Sequence, residues 1–316
     1  MATGMPGGSR AVDEVPADKT PRVASVTVTF NPDLGRLRRQ IDALLAQVDQ
    51  TFIVDNGSDA TTRASIAGWE GVRVVALEEN RGVASGFNIG IRESRAWGAD
   101  FVLLLDHDSI PSSDMVTRLV AGYRSAAATS LLPIAAVGPS IVDARDDREY
   151  PFIRLGWLRN VHLRCTQGEG LVPCDFLISS GALLAVDHVP AIGEFDDSLF
   201  IDSVDFEWCC RARSLGFALV GVCAARLDHW LGDERRQVVG DTALVVHSPQ
   251  RLYYMTRNRL LLYRRTYVPL KWKAKDVLRL VAKFAATMAL LAPRAAYARM
   301  TWLAIRHGLA GHGGKL

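Results

Sequence analysis

The sequence predicts an α/β fold: a doubly wound, mostly parallel sheet joined to a mixed second half and followed by basic helices. Three observations carry that prediction. β-Branched runs alternate with amphipathic helix patterns from residue 23 to residue 125. Residues 101–105 (FVLLL) form a short, continuous apolar run, the pattern of a strand buried on both faces. With 49% hydrophobic and 22% charged residues over 316 positions, the chain has ample material for a large core and is not a disordered acidic or basic protein.

Residues 23–30 (VASVTVTF), bounded by Pro21 and Pro32, read as the first strand. Over 34–48, Leu34, Leu37, Ile41, Leu44, Leu45 and Val48 recur at helical spacing. Residues 51–54 are a second strand, running into Asp55-Asn56-Gly57-Ser58, a turn signal. Residues 72–77 are a third strand, and 83–97 a helix stopped by Gly98. FVLLL is the fourth strand, with another helix over 113–125. The middle is more mixed: 135–142 and 176–186 read as strands, 203–215 as a helix stopped by Gly216, and 217–227 as one or two strands. No internal repeat is visible. The expected organisation is a disordered lead-in over 1–21, a domain over 22–247 with halves at about 22–130 and 131–247, and a basic helical tail over 248–316.

A net charge of +3 conceals a division. Residues 251–316 carry 14 Lys and Arg against one acid, Asp276, whereas residues 1–250 carry 23 against 33. Basic residues interleaved with Leu260, Tyr263, Trp272, Phe284 and Trp302 on predicted helices are the signature of a helix lying on a membrane surface. The same tail can instead pack on its own acidic body or on a second copy of the chain in a homo-oligomer. The small net charge gives no reason to expect nucleic acid as a partner. No run of about 18 uncharged apolar residues occurs, so no spanning helix is expected. The first 20 or so residues lack the roughly 7–15-residue apolar stretch of a secretory signal. Five cysteines (Cys165, Cys174, Cys209, Cys210 and Cys223), an odd number without a CxxC pair, argue against a disulfide framework or a four-thiolate zinc site. They read as buried free thiols in a reducing compartment.

Ligands of a doubly wound sheet bind at the carboxyl ends of its strands. Three polar clusters follow predicted strands at that edge: residues 55–58, Glu79-Asn80-Arg81-Gly82 and Asp106-His107-Asp108. Two carboxylates one residue apart at a strand end can point the same way. Hard oxygen ligands suit Mg²⁺ or Mn²⁺ held together with a substrate's phosphates. His229, after the late strand, is a candidate to complete a metal shell, although a lone histidine is more often a packing residue. Residues 195–217 (FDDSLFIDSVDFEWCCRARSLGF) hold five carboxylates in their first thirteen positions. Capping by Asp202 or Ser203 and the helix dipole account for some of them, but not for all of Asp196, Asp197, Asp202, Asp205 and Glu207. A carboxylate at a helix N-terminus facing a cleft can serve as general base for a hydroxyl. Just upstream, Ser179-Ser180-Gly181-Ala182 offers small side chains where a ligand can approach the backbone.

Taken in order, VTVTFNP, FIVDNGS, ENRGVASGFNIGI, LLLDHDS, ISSGALLA, FDDSLFIDSVDFEWCCRARSLGF and LDHWLGD resemble the family 2 glycosyltransferases of GT-A fold. Within that family the chain is most similar to bacterial rhamnosyltransferases that use dTDP-L-rhamnose. The resemblance covers residues from about 23 to 268, and HSPQRLYYMTRNRLLLYRR looks like the same subfamily. It implies inverting transfer of L-rhamnose to a hydroxyl of a lipid-linked or surface-polysaccharide acceptor. It further implies a cytoplasmic enzyme bound peripherally at the inner face of the cytoplasmic membrane.

Carried over residue by residue, the resemblance gives Asp55 the pyrimidine base of the donor, and Thr29 and Phe30 the same pocket. Asn80, Arg81 and Gly82 fall near the ribose and diphosphate, and Gly181 near the donor sugar. Asp106 and Asp108 match the DxD motif and His229 the third metal ligand. Asp205 matches the catalytic base, with Asp202 and Glu207 as alternatives, and Trp208 the wall of the acceptor site. Two departures stand out: no QxxRW segment occurs, which points to addition of one or a few sugars, and His107 sits inside the DxD, where it should point away from the metal. Three alternatives remain at this level. The first is a same-fold transferase using UDP-galactofuranose, UDP-glucose or UDP-N-acetylglucosamine. The second is a nucleotidyltransferase, for which Asn31-Pro32-Asp33-Leu34-Gly35 lacks a phosphate-cradling run. The third is a non-catalytic membrane scaffold, which leaves the converging acids unexplained.

Overall fold

In the computed structural model, which describes residues 20–165, 168–229, 235–239, 242–245, 247–290 and 293–316, strands and helices alternate from the first strand onward. They are β1 (Val23–Thr29), α1 (Leu34–Leu45), β2 (Gln50–Asp55), α2 (Ala60–Ala67), β3 (Val72–Ala76), α3 (Val83–Trp97) and β4 (Phe101–Asp106). The expected lead-in falls almost wholly outside the described residues, as does the WLGD end of the late motif. β1 runs parallel to β2 on one side and β4 on the other, and β3 extends the sheet beyond β2. Register places Thr29 beside Asp55 and Val28 beside Asp106, so three strands end together at one edge.

Helix α1 starts where Asp33 accepts the Arg36 N–H, and it buries Leu37, Gln40, Ile41 and Leu44. Helix α2 was not expected from the sequence. It is eight residues long and buries only Thr62 and Ile66, too few positions for a periodic signal; Asp59 caps it. Helix α3 lies tight on the sheet because a Cβ at Gly90 or Gly86 would come 2.1 or 2.7 Å from Val26 or Val28. Gly98 ends it in the left-handed conformation, as predicted.

The second half contains β5 (Ser109–Pro111), α4 (Met115–Thr129), β6 (Ile134–Asp143), β7 (Arg148–Tyr150), β8 (Phe152–Arg154) and β9 (Val161–Leu163). It continues with β10 (Leu171–Cys174), β11 (Leu183–Ala185), α5 (Val189–Ile192), α6 (Val204–Ser214) and β12 (Ala218–His229). The main sheet runs β10-β12-β6-β11-β4-β1-β2-β3, parallel in its first half and mixed in its second. Helices cover both faces: Phe87, Ile91 and Trp208 belong to the core on one side, Leu37, Ile41 and Leu119 to the core on the other. The strand expected over 176–186 shrinks to β11. Gly181 takes φ +90°, and the Ala182 N–H turns back to the Ser179 carbonyl at 2.9 Å, which lifts the preceding residues off the sheet. The one or two strands expected over 217–227 are the single strand β12, which begins at Ala218 and has an irregular register between Val222 and Arg226.

The expectation of five free thiols is corrected. Cys165 and Cys223 form a disulfide, their Cα atoms 5.4 Å apart across a sequence separation of 58. The segment leaving β9 crosses β12 there, a juxtaposition that cysteine spacing does not reveal. Cys174, Cys209 and Cys210 are free and buried, as expected.

After β13 (Arg235–Val239) and β14 (Thr242–Val245) come α7 (Pro249–Tyr263), α8 (Leu270–Leu290) and α9 (Arg294–Ala310). Helix α7 is part of the body rather than a surface tail: it buries Tyr253, Tyr254, Arg257, Asn258, Leu261 and Leu262. The fully buried Arg257 donates to the carbonyls of Ser198 (3.1 Å), Leu199 (3.0 Å) and Gly314. Arg251 pairs with Asp202, Arg265 with Asp196, and Arg259 with Asp276. Part of the tail's positive charge therefore meets the protein's own acids. Helices α8 and α9 leave Leu270, Leu278, Val281, Trp302 and Leu309 exposed. Among the described residues, no helix is long and apolar enough to cross a membrane.

Candidate active site

The carboxyl ends of β1, β2, β4 and β12 open on one cavity of about 490 Å³, within the usual range for small-molecule sites. Thr29, Phe30, Asn80 and Gly82 line it from the first half of the chain, and Asp202 and Asp205 from the second. Asp106, Asp108 and His229 also line it.

β4 ends at Asp106, the chain turns through His107 and Asp108, and β5 returns antiparallel to the end of β12, with Ser109 beside His229. That pairing carries His229 to the two aspartates. Ligand atoms of Asp106, Asp108 and His229 lie within 4.8 Å of one another. Asp108 Oδ1 and His229 Nδ1 approach to 3.4 Å. Both atoms are buried, and neither has a hydrogen-bond partner among the described residues. Burial holds His229 below its ordinary pKa of 6.5 in spite of Asp108, which leaves a neutral imidazole with a lone pair to donate. Burial, then the charges of Asp108 and Asp205, push Asp106 up to about 7. Two crowded carboxylates and a neutral imidazole with orphaned acceptor atoms form a donor set that fits Mg²⁺ or Mn²⁺. His107 lines the cavity but is not part of this cluster.

Gln40 of α1, which the sequence reading did not single out, braces the turn. Its side-chain amide donates to the carbonyls of Asp106 (2.6 Å) and Ser109, while Thr27 donates to its oxygen at 3.1 Å. The Asp106 N–H in turn donates to Ser180 Oγ at 3.2 Å. The available signal was a polar residue on an otherwise apolar helix face.

Asp205 lies in the first turn of α6. Ser203 stands at the N-cap but makes no side-chain capping bond, so capping does not explain this acidic run. The Asp205 carboxylate accepts the Phe206 N–H at 2.8 Å and the Ser179 N–H at 3.4 Å. Burial pushes it up to about 6, against the pull of those two N–H groups. A carboxylate poised there suits proton abstraction near neutral pH. The loop leading into α6 is strained, with Phe200, Asp202 and Ser203 at φ of 62°, 63° and 63°. Helix α7 over-determines it. Asn258 donates to the carbonyls of Leu199, Ile201 and Asp202 at 2.7–2.9 Å, and the Phe200 ring stacks on Tyr254 at 5.0 Å. Arg251, previously only one charge in the tail, lines the cavity.

Other expected site residues stand elsewhere. Glu207 is 1% exposed, paired with Arg211 and accepting from the Tyr267 hydroxyl. Trp208 is 3% exposed, with its Nε1–H donated to the Gly193 carbonyl at 2.9 Å. Both side chains are held in the core by these partners, and neither lines the cavity. Gly181 lies behind the wall: its N–H donates to Leu104, and a Cβ there would meet Pro139 and Leu227. Arg81 is exposed and contributes its backbone N–H to Asn56 Oδ1 at 2.8 Å. The buried Asp55 carboxylate accepts from the Thr29 hydroxyl (3.1 Å), the Ser58 N–H (3.3 Å) and the Ser58 hydroxyl, beside a separate hollow of about 360 Å³.

A doubly wound sheet whose carboxyl edge carries this cavity, joined to a mixed second half, defines an enzyme of the GT-A fold. Residues 25–183 match Glycosyl transferase family 2. The dTDP-rhamnosyl transferase RfbF of Shigella flexneri is 31% identical over 258 residues, 81% of this chain and 84% of that one. The galactofuranosyltransferase GlfT1 of Mycobacterium tuberculosis is 29% identical over 255 residues, 76% of this chain and 81% of that one. The structure of GalNAc-T7 with UDP, GalNAc and Mn²⁺ superposes with a TM-score of 0.57 at 15% identity, covering 94% of this chain and 55% of that one. This chain thus spans little more than half that protein's length. The chain belongs to glycosyl transferase family 2 and is a glycosyltransferase.

Proposed function

We propose that this enzyme moves L-rhamnose from dTDP-L-rhamnose to a hydroxyl of a lipid-linked saccharide, inverting the anomeric carbon, with Asp205 as general base. The observation that carries the reading is the convergence of Asp205 with the Asp106–Asp108–His229 cluster on one cavity. The 31% identity to RfbF supports the donor.

Asp106, Asp108 and His229 would hold Mg²⁺ or Mn²⁺, and the bound ion supplies Lewis-acid neutralisation of charge on the departing diphosphate. Thr29 and Phe30 border the nucleotide, with Asp55 fixing the Thr29 hydroxyl at the base end. Asn80 and Gly82 face the ribose and diphosphate. The acceptor hydroxyl attacks from the side opposite the leaving nucleotide, and Asp205 takes its proton as the bond forms. The Phe206 and Ser179 N–H groups keep the carboxylate aimed. One displacement inverts the anomeric configuration.

The similarity to a galactofuranosyltransferase favours a second reading, with UDP-galactofuranose as donor. A donor screen decides between them: nucleotide release from dTDP-L-rhamnose and from UDP-sugars, with Mn²⁺ and lipid-diphosphate saccharides. The expected result is the highest kcat/KM with dTDP-L-rhamnose; a better-used UDP-sugar overturns the donor assignment.

The acceptor reading places the enzyme peripherally on the inner face of the cytoplasmic membrane, through α8 and α9. Exposed Leu270, Leu278, Val281 and Trp302 lie among lysines and arginines there. Because α7 belongs to the body, surface variants test this better than truncation. Leu278→Glu with Val281→Glu should reduce flotation with anionic liposomes, and unchanged flotation would remove these helices as the anchor.

A further inference from the structure

A second hollow, of about 350 Å³, adjoins the catalytic cavity. The chain between β6 and β10 builds much of it. Tyr150, Phe152, Phe176 and Ile178 give it an apolar, largely aromatic lining, and Arg148 and Arg164 add positive charge. Ile178 lines both spaces, and the next residue, Ser179, donates its N–H to Asp205. The Phe176 ring meets Phe206, the residue after Asp205, at 5.9 Å. The lining of the hollow is therefore continuous with the segments that hold the proposed base.

The hollow also carries two cationic side chains, Arg148 and Arg164. Glu149 is the nearest acid in sequence that follows Arg148. The Glu149 carboxylate already accepts from Ser140 at 2.8 Å. Arg164 donates to the Glu149 carbonyl at 3.3 Å, and the Arg148 guanidinium stands 6.0 Å from the Tyr150 ring centre. The hairpin between β8 and β9 exposes Trp157 (69%) and Leu158 (93%). Helix α8 docks on that hairpin: Lys271 and Lys275 donate to the carbonyls of Leu155 and Gly156, and Lys275 also to Asn160 at 2.6 Å.

We infer that this hollow is an acceptor subsite that takes a phosphate-bearing, lipid-linked saccharide. The sugar lies on the aromatic lining, its diphosphate meets Arg148 and Arg164, and its lipid leads out over Trp157 and Leu158 toward α8. Planar guanidinium groups match phosphate oxygens in a way that a neutral rim does not. An apolar hairpin tip beside a basic helix suits the surface from which a lipid-borne substrate is presented. The inference rests on the proposed transfer to a lipid-linked acceptor and adds the group by which that acceptor is read.

The test is calorimetric titration of the full chain with farnesyl diphosphate, farnesol and inorganic diphosphate, the nucleotide site being saturated with Mn²⁺ and whichever of dTDP or UDP the donor screen selects. Farnesyl diphosphate should bind more tightly than either fragment. Arg148→Ala with Arg164→Ala should weaken it roughly tenfold or more and leave farnesol and nucleotide binding unchanged. Two results overturn the subsite: affinity for farnesyl diphosphate no better than for inorganic diphosphate, which marks a free-phosphate site, or undiminished affinity in the double variant. Arginine-dependent binding without sugar transfer from dTDP-L-rhamnose would sink the donor assignment and leave the subsite standing. Transfer with unaltered binding in the double variant would do the reverse.

Discussion

Asp205→Asn removes the proposed proton acceptor while nearly preserving its shape. The asparagine carbonyl oxygen can still take the Phe206 N–H now held at 2.8 Å. What it loses is acceptance of the Ser179 N–H, a long contact of 3.4 Å, so the structural cost is at most about 1 kcal/mol. The chemical cost is larger: loss of a general base lowers kcat by roughly 10²–10⁴, or about 2.7–5.4 kcal/mol of barrier. In the native enzyme the base works only when deprotonated. With Asp205 near 6, activity is present above that pH and falls about tenfold per unit below it. The assay is nucleotide release at saturating donor, acceptor and Mn²⁺ between about pH 5 and 8, with donor binding measured separately as a check on folding. The variant should lose kcat and the acidic limb together and keep its donor affinity. A variant within a few-fold of native kcat, or one with the same acidic limb, refutes the assignment. Asp202, in the same cavity and paired with Arg251, would then be the next base to test.

Asp106 is raised to about 7, so in the metal-free protein the native state holds a proton that the unfolded chain has released. Metal-free stability should therefore fall as pH rises from about 4 to 7. Asp106→Asn should reduce that dependence and leave the part due to Asp205; thermal unfolding with chelator checks this, and a flat native profile would contradict it. Arg257→Leu leaves the Gly314 carbonyl without its donor, at about 1–3 kcal/mol, while Ser198 keeps the Gly314 N–H and Leu199 keeps Asn258. Urea unfolding should show a loss of roughly 1–3 kcal/mol, with reduced kcat because the strained loop loses part of its support; a loss below about 0.5 kcal/mol would refute this. Gly82 has φ +88°, and a Cβ there would come 2.4 Å from the Phe200 carbonyl oxygen. Gly82→Ala should therefore displace the loop between Phe200 and Ser203 and raise the donor KM, and unchanged steady-state kinetics would show that the loop tolerates the shift.

The first half of the fold was legible because β-branched runs and amphipathic helices alternate with little interruption, and because FVLLL delivers the DxD to a strand end. Much of the second half was not. Strands of three residues carry no usable period, and the left-handed turn at Gly181 breaks a run that otherwise reads as one strand. Glu207 and Trp208 sit in the same motif as Asp205, but Arg211, Tyr267 and the Gly193 carbonyl claim their polar atoms, partners that the motif itself does not reveal. From spacing alone His229 was a lone histidine and only the resemblance made it a metal ligand; the pairing of β5 with β12 supplies the geometry that brings it to the aspartates. The role of α7 was hidden for a different reason. Arg257 and Asn258 bind backbone carbonyls, which every residue possesses and no side-chain pattern announces. Basic residues in an aromatic-rich helix then look like a surface.

The Ser198 carbonyl accepts from both Arg257 and the Gly314 N–H, so it joins three distant stretches of chain at the door of the active site. Order of synthesis follows from that junction. The loop carrying Asp202 lacks this tie until residue 314 has been made. A ribosome-stalled chain ending near residue 300 is therefore expected to bind nucleotide while failing to turn over donor. If so, a half-made enzyme does not waste activated sugar on water.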